Sequence, residues 1–259
     1  MRDMATTSGI VHGMDQQFRT MPATLCLKDL LEEGAIGRPH SAVEQIHIDV
    51  WGYYAYRGGS PSKSAWFTEP TGGGFLLALG WVWDRQLFLF GPARSVTGST
   101  RIAIPEATLA DGTRVRTNAP DSTHAHVEFW SGLTLITQLA PARWGQHRTR
   151  LEILGDEGAL LLSGPASAPV LQYAAVTDAN YRTLTIPERY QPSDLPPGVD
   201  AGAFTIADRF VRAVIDGEPM SPSFDDALRT QELIQAIARS DETGTRQELS
   251  SGIHAGPPS

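Results

Sequence analysis

One cysteine, Cys26, stands in 259 residues. That excludes a disulfide framework and a multi-cysteine metal site, and leaves Cys26 as a small buried apolar residue. Basic residues are also short: 21 Lys and Arg face 29 Asp and Glu, for a net charge of −8. An acidic chain without a basic block is a poor partner for nucleic acid or an anionic membrane surface. Long apolar runs are missing. Met1 to Thr7 lacks the apolar centre of a signal peptide. The most hydrophobic stretch, Phe75 to Phe90, carries Asp84, Arg85 and Gln86 and is too short and too charged to span a bilayer. The expectation is a cytoplasmic protein. Chemical signatures are absent too. No G-x-G-x-x-G follows an early strand, and there is no Walker-type phosphate loop, no G-x-S-x-G nucleophile elbow and no H-E-x-x-H zinc helix. Gly72-Gly73-Gly74 runs into apolar residues and lacks a βαβ frame, so it reads as close packing of a helix start on a sheet.

What is present suits a soluble globular domain: the hydrophobic fraction is 41% and the charged fraction 19%. Pro22 opens a helix that Gly34 ends. From Ala42 to Tyr54 apolar and polar residues alternate, with Ile46, Ile48 and Val50 on one face and Gln45, His47, Asp49 and Trp51 on the other, the pattern of a half-buried strand. Phe75 to Phe90 reads as one buried helix stopped by Gly91-Pro92. Strand-like runs follow at Ser95–Ile104, Thr123–Trp130, Leu133–Leu139, His147–Leu154 and Ala159–Leu162, with tight turns at Ser131-Gly132 and Gly155-Asp156-Glu157-Gly158. Two helices close the chain, Ala201–Asp216 and Phe224–Thr243, the second capped by Ser223 with Asp226 three residues on. This order predicts an α+β fold, an open-faced, mostly antiparallel sheet with helices packed on one face.

Two residue clusters invite chemistry. Strand periodicity places His124, His126, Glu128 and Trp130 on one face, and the first strand offers His47 and Asp49 beside Trp51. His47, Asp49, His124 and His126 are the candidate catalytic residues, as an acid–base set. The leading reading of the same face is a polar sheet surface packed on a second subunit, with the acid–base set as its alternative. A metal half-site is the third reading, but ligands from one strand point parallel and do not converge. The second cluster, Arg19, Trp66, Trp81, Trp83 and Asp84, lies around the start of the long helix.

Four blocks recur in a telling order. Phe18-Arg19 and Pro22 precede Leu30-Leu31-Glu32-Glu33-Gly34-Ala35-Ile36-Gly37. Trp66 precedes Gly72-Gly73-Gly74. Then come Leu151-Glu152-Ile153-Leu154-Gly155-Asp156-Glu157-Gly158-Ala159-Leu160, and finally Phe224-Asp225-Asp226-Ala227-Leu228 with Ala236-Ile237-Ala238-Arg239-Ser240 and Gly244. Together, over residues 9–249, they resemble the C-terminal domain of the glucose–fructose oxidoreductase / inositol dehydrogenase (Gfo/Idh/MocA) family. The resemblance implies a substrate-holding, oligomer-forming domain that normally follows an NAD(P)-binding Rossmann domain. It reads residues 1–20 as the end of that otherwise absent domain, with Ala5–Gly9 as a helix end and Ile10–Met14 as a last strand. Residues 21–249 are the single substrate-binding domain and 250–259 a flexible tail.

The resemblance also implies a catalytic Lys in the Rossmann domain and an Asp and a His spaced D-x-x-x-H on the long helix. A count without gaps from Gly72-Gly73-Gly74 puts Ala78 at the Asp and Val82 at the His, and a one-residue gap puts Trp81 at the His. Neither arrangement moves a proton. Arg19, Trp66, Trp81, Trp83 and Asp84 are then the expected substrate-binding residues, with Arg19 as an anion or carbonyl anchor, the tryptophans as stacking surfaces, and core packing as the competing role for Trp81 or Trp83. Tyr53, Tyr54, Tyr56 and Arg57 would cover the pocket. The expected function is a stand-alone substrate-binding domain acting as a cofactor-independent isomerase, lyase or cyclase on a sugar-like or secondary-metabolite substrate. No nicotinamide and no metal are expected, and homo-oligomerisation is expected through the open sheet face. The alternatives are half of a split NAD(P)-dependent oxidoreductase, completed by a separate Rossmann chain, and a non-catalytic binding or regulatory protein.

Overall fold

The computed structural model describes residues 1–48, 68–108, 113–142, 148–191 and 198–250. Asp49, Val50, Trp51, Tyr53, Tyr54, Tyr56, Arg57 and Trp66, with the tail beyond residue 250, lie outside the described residues.

After a short helix α1 (Arg2–Ser8), α2 (Pro22–Glu32) starts on Pro22 and leads into β1 (Pro39–Ile48). Burial along β1 alternates, with Ala42, Glu44, Ile46 and Ile48 inside and Val43, Gln45 and His47 toward the other face, as the alternating sequence requires. Two helices, α3 (Gly74–Ala78) and α4 (Gly80–Phe90), precede β2 (Ala93–Arg101). A small hairpin, β3 (Glu106–Thr108) and β4 (Arg114–Arg116), stands apart from the main sheet. Then come β5 (Ser122–Phe129), β6 (Thr134–Pro141), β7 (Arg148–Gly155), β8 (Gly158–Pro165), β9 (Val170–Ala175) and β10 (Arg182–Thr183). The chain closes with α5 (Val199–Ile215), α6 (Phe224–Thr243) and β11 (Gln247–Glu248).

Among the described residues the main sheet has nine strands in the order β10-β9-β8-β7-β1-β6-β5-β2-β11. Only the central β1–β6 pair is parallel; the other neighbours are antiparallel. One face carries the core, with Ile46, Val127, Leu135, Leu139, Leu151, Ile153, Leu160 and Leu162 against α3, α4 and α6. The other face stays open, and Trp130 (51%) and Ile136 (55%) are exposed on or beside it. The mostly antiparallel α+β architecture expected from the strand-rich middle is the one observed.

Three expectations need correction. The single helix over Phe75–Phe90 is broken: Leu79 leaves helical geometry at φ −99°, ψ 32° and splits it into α3 and α4. Uniform hydrophobicity reports burial, and a break inside a buried segment leaves that signal unchanged. Ile10–Met14 forms no strand; the Met14 N–H instead donates to the Pro222 carbonyl at 3.0 Å. The outer strand β9, the edge strands β10 and β11, and the β3–β4 hairpin escaped the sequence reading, being short or weakly alternating. The glycine run does mark a close approach: a Cβ on Gly74, at φ +59°, would sit 2.2 Å from the Pro120 carbonyl oxygen. The α6 cap is a true capping box, with Ser223 and Asp226 each satisfying the other's backbone N–H.

Candidate functional site

The helix break at Leu79 separates two anchored segments. Around it, Phe75 N–H donates to the Pro120 carbonyl at 2.8 Å, pinning the start of α3. Leu77 is 40% exposed and lines a cleft of about 760 Å³ with Met14, Gln16, Gly80, Phe224 and Gln231. That volume is of the size that holds a small molecule. Trp81 is half-buried and stacks on Phe18, with ring centroids 3.7 Å apart. Its neighbour Trp83 points the other way: it is fully buried, and its Nε1–H donates to the Leu76 carbonyl at 3.0 Å. A helix cannot aim both indoles at one pocket, and here Trp83 is the core residue.

Arg19 and Asp84 come together, as part of one network. Arg19 is 3% exposed and Asp84 0%. Arg19 Nε donates to Asp84 Oδ2 at 2.7 Å and Nη2 donates to Oδ1. The remaining nitrogen, Nη1, lies 3.4 Å from Asp226 Oδ1 and 3.5 Å from Ser221 Oγ. Thr230 Oγ1 donates to Asp84 at 3.4 Å. Burial pushes the Asp84 carboxyl up, although Arg19 pulls it down. For Arg19, burial opposes the charge, yet Asp84 holds the guanidinium above its ordinary value. The nearby Arg209 is lowered by burial and by the Arg19 charge. Arg19 is therefore engaged: it ties α4 to the N-terminal segment and to α6, while bordering a cavity of about 270 Å³ with Phe88, Ser221, Asp226 and Arg229.

A second buried pair was not legible as a site. Glu44 on β1 and Arg85 on α4 are both 0% exposed and paired. Gln86 donates to Glu44 Oε2 at 2.6 Å and to Thr137 Oγ1 at 2.9 Å, and Arg85 Nη2 lies 3.5 Å from Thr149 Oγ1. The Arg85 guanidinium carbon is 5.5 Å from the Trp81 ring centre. The only signal for this layer in the sequence was a carboxylate on the apolar face of β1 and a charged triplet, Asp84-Arg85-Gln86, within an apolar helix.

The open face gathers the histidines without joining them. His124 sits opposite Gln138, which in turn sits opposite Gln45; His47 is in the next row, paired with Ala140 and Arg148. With β6 between β1 and β5 and a two-residue offset along the strands, His47 and His124 are about 12 Å apart. His124 Nε2 lies 3.5 Å from Gln138 Nε2, and Gln45 donates to Gln138 Oε1 at 3.3 Å. Glu128 is clamped by Arg246 through two 2.9 Å bonds. Trp130 lies under Arg94, 5.5 Å from its guanidinium carbon. At the sheet's far side Tyr181 donates to Glu152 at 2.8 Å, and burial together with that carboxylate pushes the phenol up to about 12. Among the described residues no three His, Cys, Asp or Glu side chains group as metal ligands, and no helix is long and apolar enough to cross a membrane.

The comparisons fit this architecture. Levoglucosan dehydrogenase in complex with NADH and L-sorbose superposes with a TM-score of 0.78 at 23% identity, over 96% of this chain and 69% of that one. An oxidoreductase from Agrobacterium radiobacter in complex with NAD+, L-tartaric acid and magnesium gives 0.75 at 18%, over 95% and 67%. The super-repressor mutant of Gal80p from Saccharomyces cerevisiae gives 0.74 at 19%, over 96% and 68%. The chain thus spans about two thirds of the length of these structures. No curated protein sequence matches it. A model of the GFO/IDH/MocA C-terminal domain matches residues 24–161, more than half of the chain, and the protein belongs to that family.

Proposed function

We propose that residues 21–249 form a substrate-binding domain that holds a sugar-like small molecule at the α3–α4 mouth, without using its own residues for the hydride chemistry of its relatives. One observation carries this reading. Where the family resemblance puts a proton-moving Asp and His, this helix presents Ala78 and Val82, or with a one-residue gap Leu77 and Trp81. None of these side chains titrates. Val82 is moreover fully buried, whereas Leu77 lines the cleft and supplies apolar surface to a ligand. Reduction or oxidation of a carbonyl needs a group that gives or takes a proton at its oxygen.

The dinucleotide fits this chain's described residues poorly. A pyrophosphate is held by free backbone N–H groups at a glycine-rich turn. Here the turn at Gly72–Gly74 is packed onto Pro120, and its first helical amide is already bonded there. Calorimetric titration separates the cases. L-sorbose is expected to bind in the absence of nucleotide, and NADH is expected to show no saturable binding. Micromolar NADH binding by the pure chain overturns the reading and favours an oxidoreductase completed in another way.

A second reading, a cofactor-independent isomerase, lyase or cyclase, is favoured by one feature: His47, His124 and His126 are partly or fully exposed on a single face. That face also carries exposed Ile136 and is flanked by Trp130, and aromatic anchors are typical of interfaces. We therefore place homodimerisation there. A Trp130→Asp, Ile136→Asp double variant should sediment as a monomer where the wild type sediments as a dimer. A monomeric wild type removes the interface and raises the histidines to the leading catalytic candidates.

A further inference from the structure

The cleft beside the helix break has a chemical character that narrows what it accepts. Its volume of about 760 Å³ lies in the upper half of the usual range for small-molecule sites, about 300–1,000 Å³, so a single sugar ring leaves much of it empty. Its lining is largely apolar. Met14, Leu77 and Leu228 are exposed, and the buried Ile234 borders it too. Apolar side chains left in water are a cost that an apolar ligand surface removes. The charged side chains at the rim are used up. Arg2 donates to Asp3 Oδ1 through Nε at 2.8 Å and Nη2 at 2.6 Å, and its Nη1 lies 3.7 Å from Asp225 Oδ1. No lining side chain therefore offers an unpaired charge to an ionic ligand. Two uncharged polar groups remain. Gln16 and Gln231 line the cleft, and neither side-chain amide has a hydrogen-bond partner among the described residues. An amide both donates and accepts, and so matches hydroxyl groups.

Gly80 keeps room in the same place. It is the first residue of α4 and has no positive φ. Among the described residues a Cβ built on it would meet only Ile234 Cδ1, at 4.0 Å, whereas one on Gly74 would strike the Pro120 carbonyl. Neither backbone strain nor close packing requires glycine at residue 80, and alanine is the better helix former. What a side chain there would occupy is the cleft, which Gly80 lines. We propose that the cleft takes an uncharged ligand with two parts: a hydroxylated ring that meets the Gln16 and Gln231 amides, and an aromatic substituent that covers Met14, Leu77 and Leu228. Methionine suits the second role, because its flexible thioether adapts to the shape of a ring and makes favourable contacts with it. The inference rests on the reading that this domain holds a sugar-like molecule at the α3–α4 mouth, and deepens it by naming aryl glycosides as the ligand class.

The test uses the whole chain and three neutral probes, L-sorbose, methyl β-D-glucopyranoside and phenyl β-D-glucopyranoside, in calorimetric titrations. The phenyl glucoside should bind at least about tenfold more tightly than the methyl glucoside, the gain expected when much of an aromatic ring leaves water. Gly80→Leu fills the cleft from the start of α4. It should abolish binding of the phenyl glucoside while the melting temperature stays at or above that of the wild type. Leu77→Gln, at an exposed position, should keep the wild-type melting temperature and reduce the preference for phenyl over methyl at least about threefold. Equal affinities for the two glucosides overturn this inference and leave the binding reading standing. So does L-sorbose binding without binding of the phenyl glucoside. A phenyl preference that survives both variants puts the ligand outside the cleft and overturns both readings. Failure of all three probes to bind the wild type does the same.

Discussion

Glu44→Ala should lower the unfolding free energy by about 3–5 kcal/mol, the usual penalty for stranding one partner of a buried ion pair. Glu44 is fully buried and accepts from both Arg85 and Gln86. Its loss leaves a guanidinium inside the core with no counter-charge, and frees an amide that was holding two strands to α4. Urea denaturation followed by circular dichroism measures the effect. A domain of this kind is stable by only about 5–15 kcal/mol, so the variant should be conspicuously weakened. Replacing both partners, Glu44→Met with Arg85→Met, should cost much less than the sum of the single changes, because no charge then remains buried. A Glu44→Ala variant within about 1 kcal/mol of wild type would show that Arg85 reaches water and that the layer is not a closed one.

Asp84→Ala should have an effect of the same kind, toward the lower end of about 3–5 kcal/mol. Arg19 would lose its two-bonded partner but keep Asp226, 3.4 Å away and 22% exposed. The prediction separates two roles for the pair. As an anchor between the N-terminal segment, α4 and α6, Asp84 and Arg19 matter for stability, and ligand affinity per folded molecule should be unchanged. As a substrate anchor, Arg19→Lys would weaken binding while leaving the melting temperature nearly intact. Thermal unfolding and calorimetry on the same samples distinguish these outcomes, and the contacts of Arg19 favour the first.

Much of the frame was legible because local rules dominate it. The alternation in β1, the turn at Ser131-Gly132, and the capping box at Ser223 and Asp226 are short-range features that packing did not override. The resemblance carried by the glycine run and the 151–160 hairpin pointed to the family, and the domain match over residues 24–161 agrees. The site was less legible. Arg19 and Asp84 were found as candidates, but their contact joins residues 65 positions apart, and no spacing rule announces that they satisfy each other. Trp81 and Trp83 look alike in sequence; only the packing of α4 leaves one half-buried on Phe18 and the other in the core.

The sequence by itself determined the strand-rich α+β class, the acidic character, and the absence of proton-moving side chains at positions 78 and 82. Each of these depends on residue identity or on a period of a few residues. The tertiary structure alone decided which charges are free. Whether Arg19, Arg85, Glu44 or Asp84 can act on a ligand depends on what lies within about 3 Å of it. The neighbours that settle this come from β1, α4, α6 and the N-terminal segment, brought together only when the sheet buries its one apolar face.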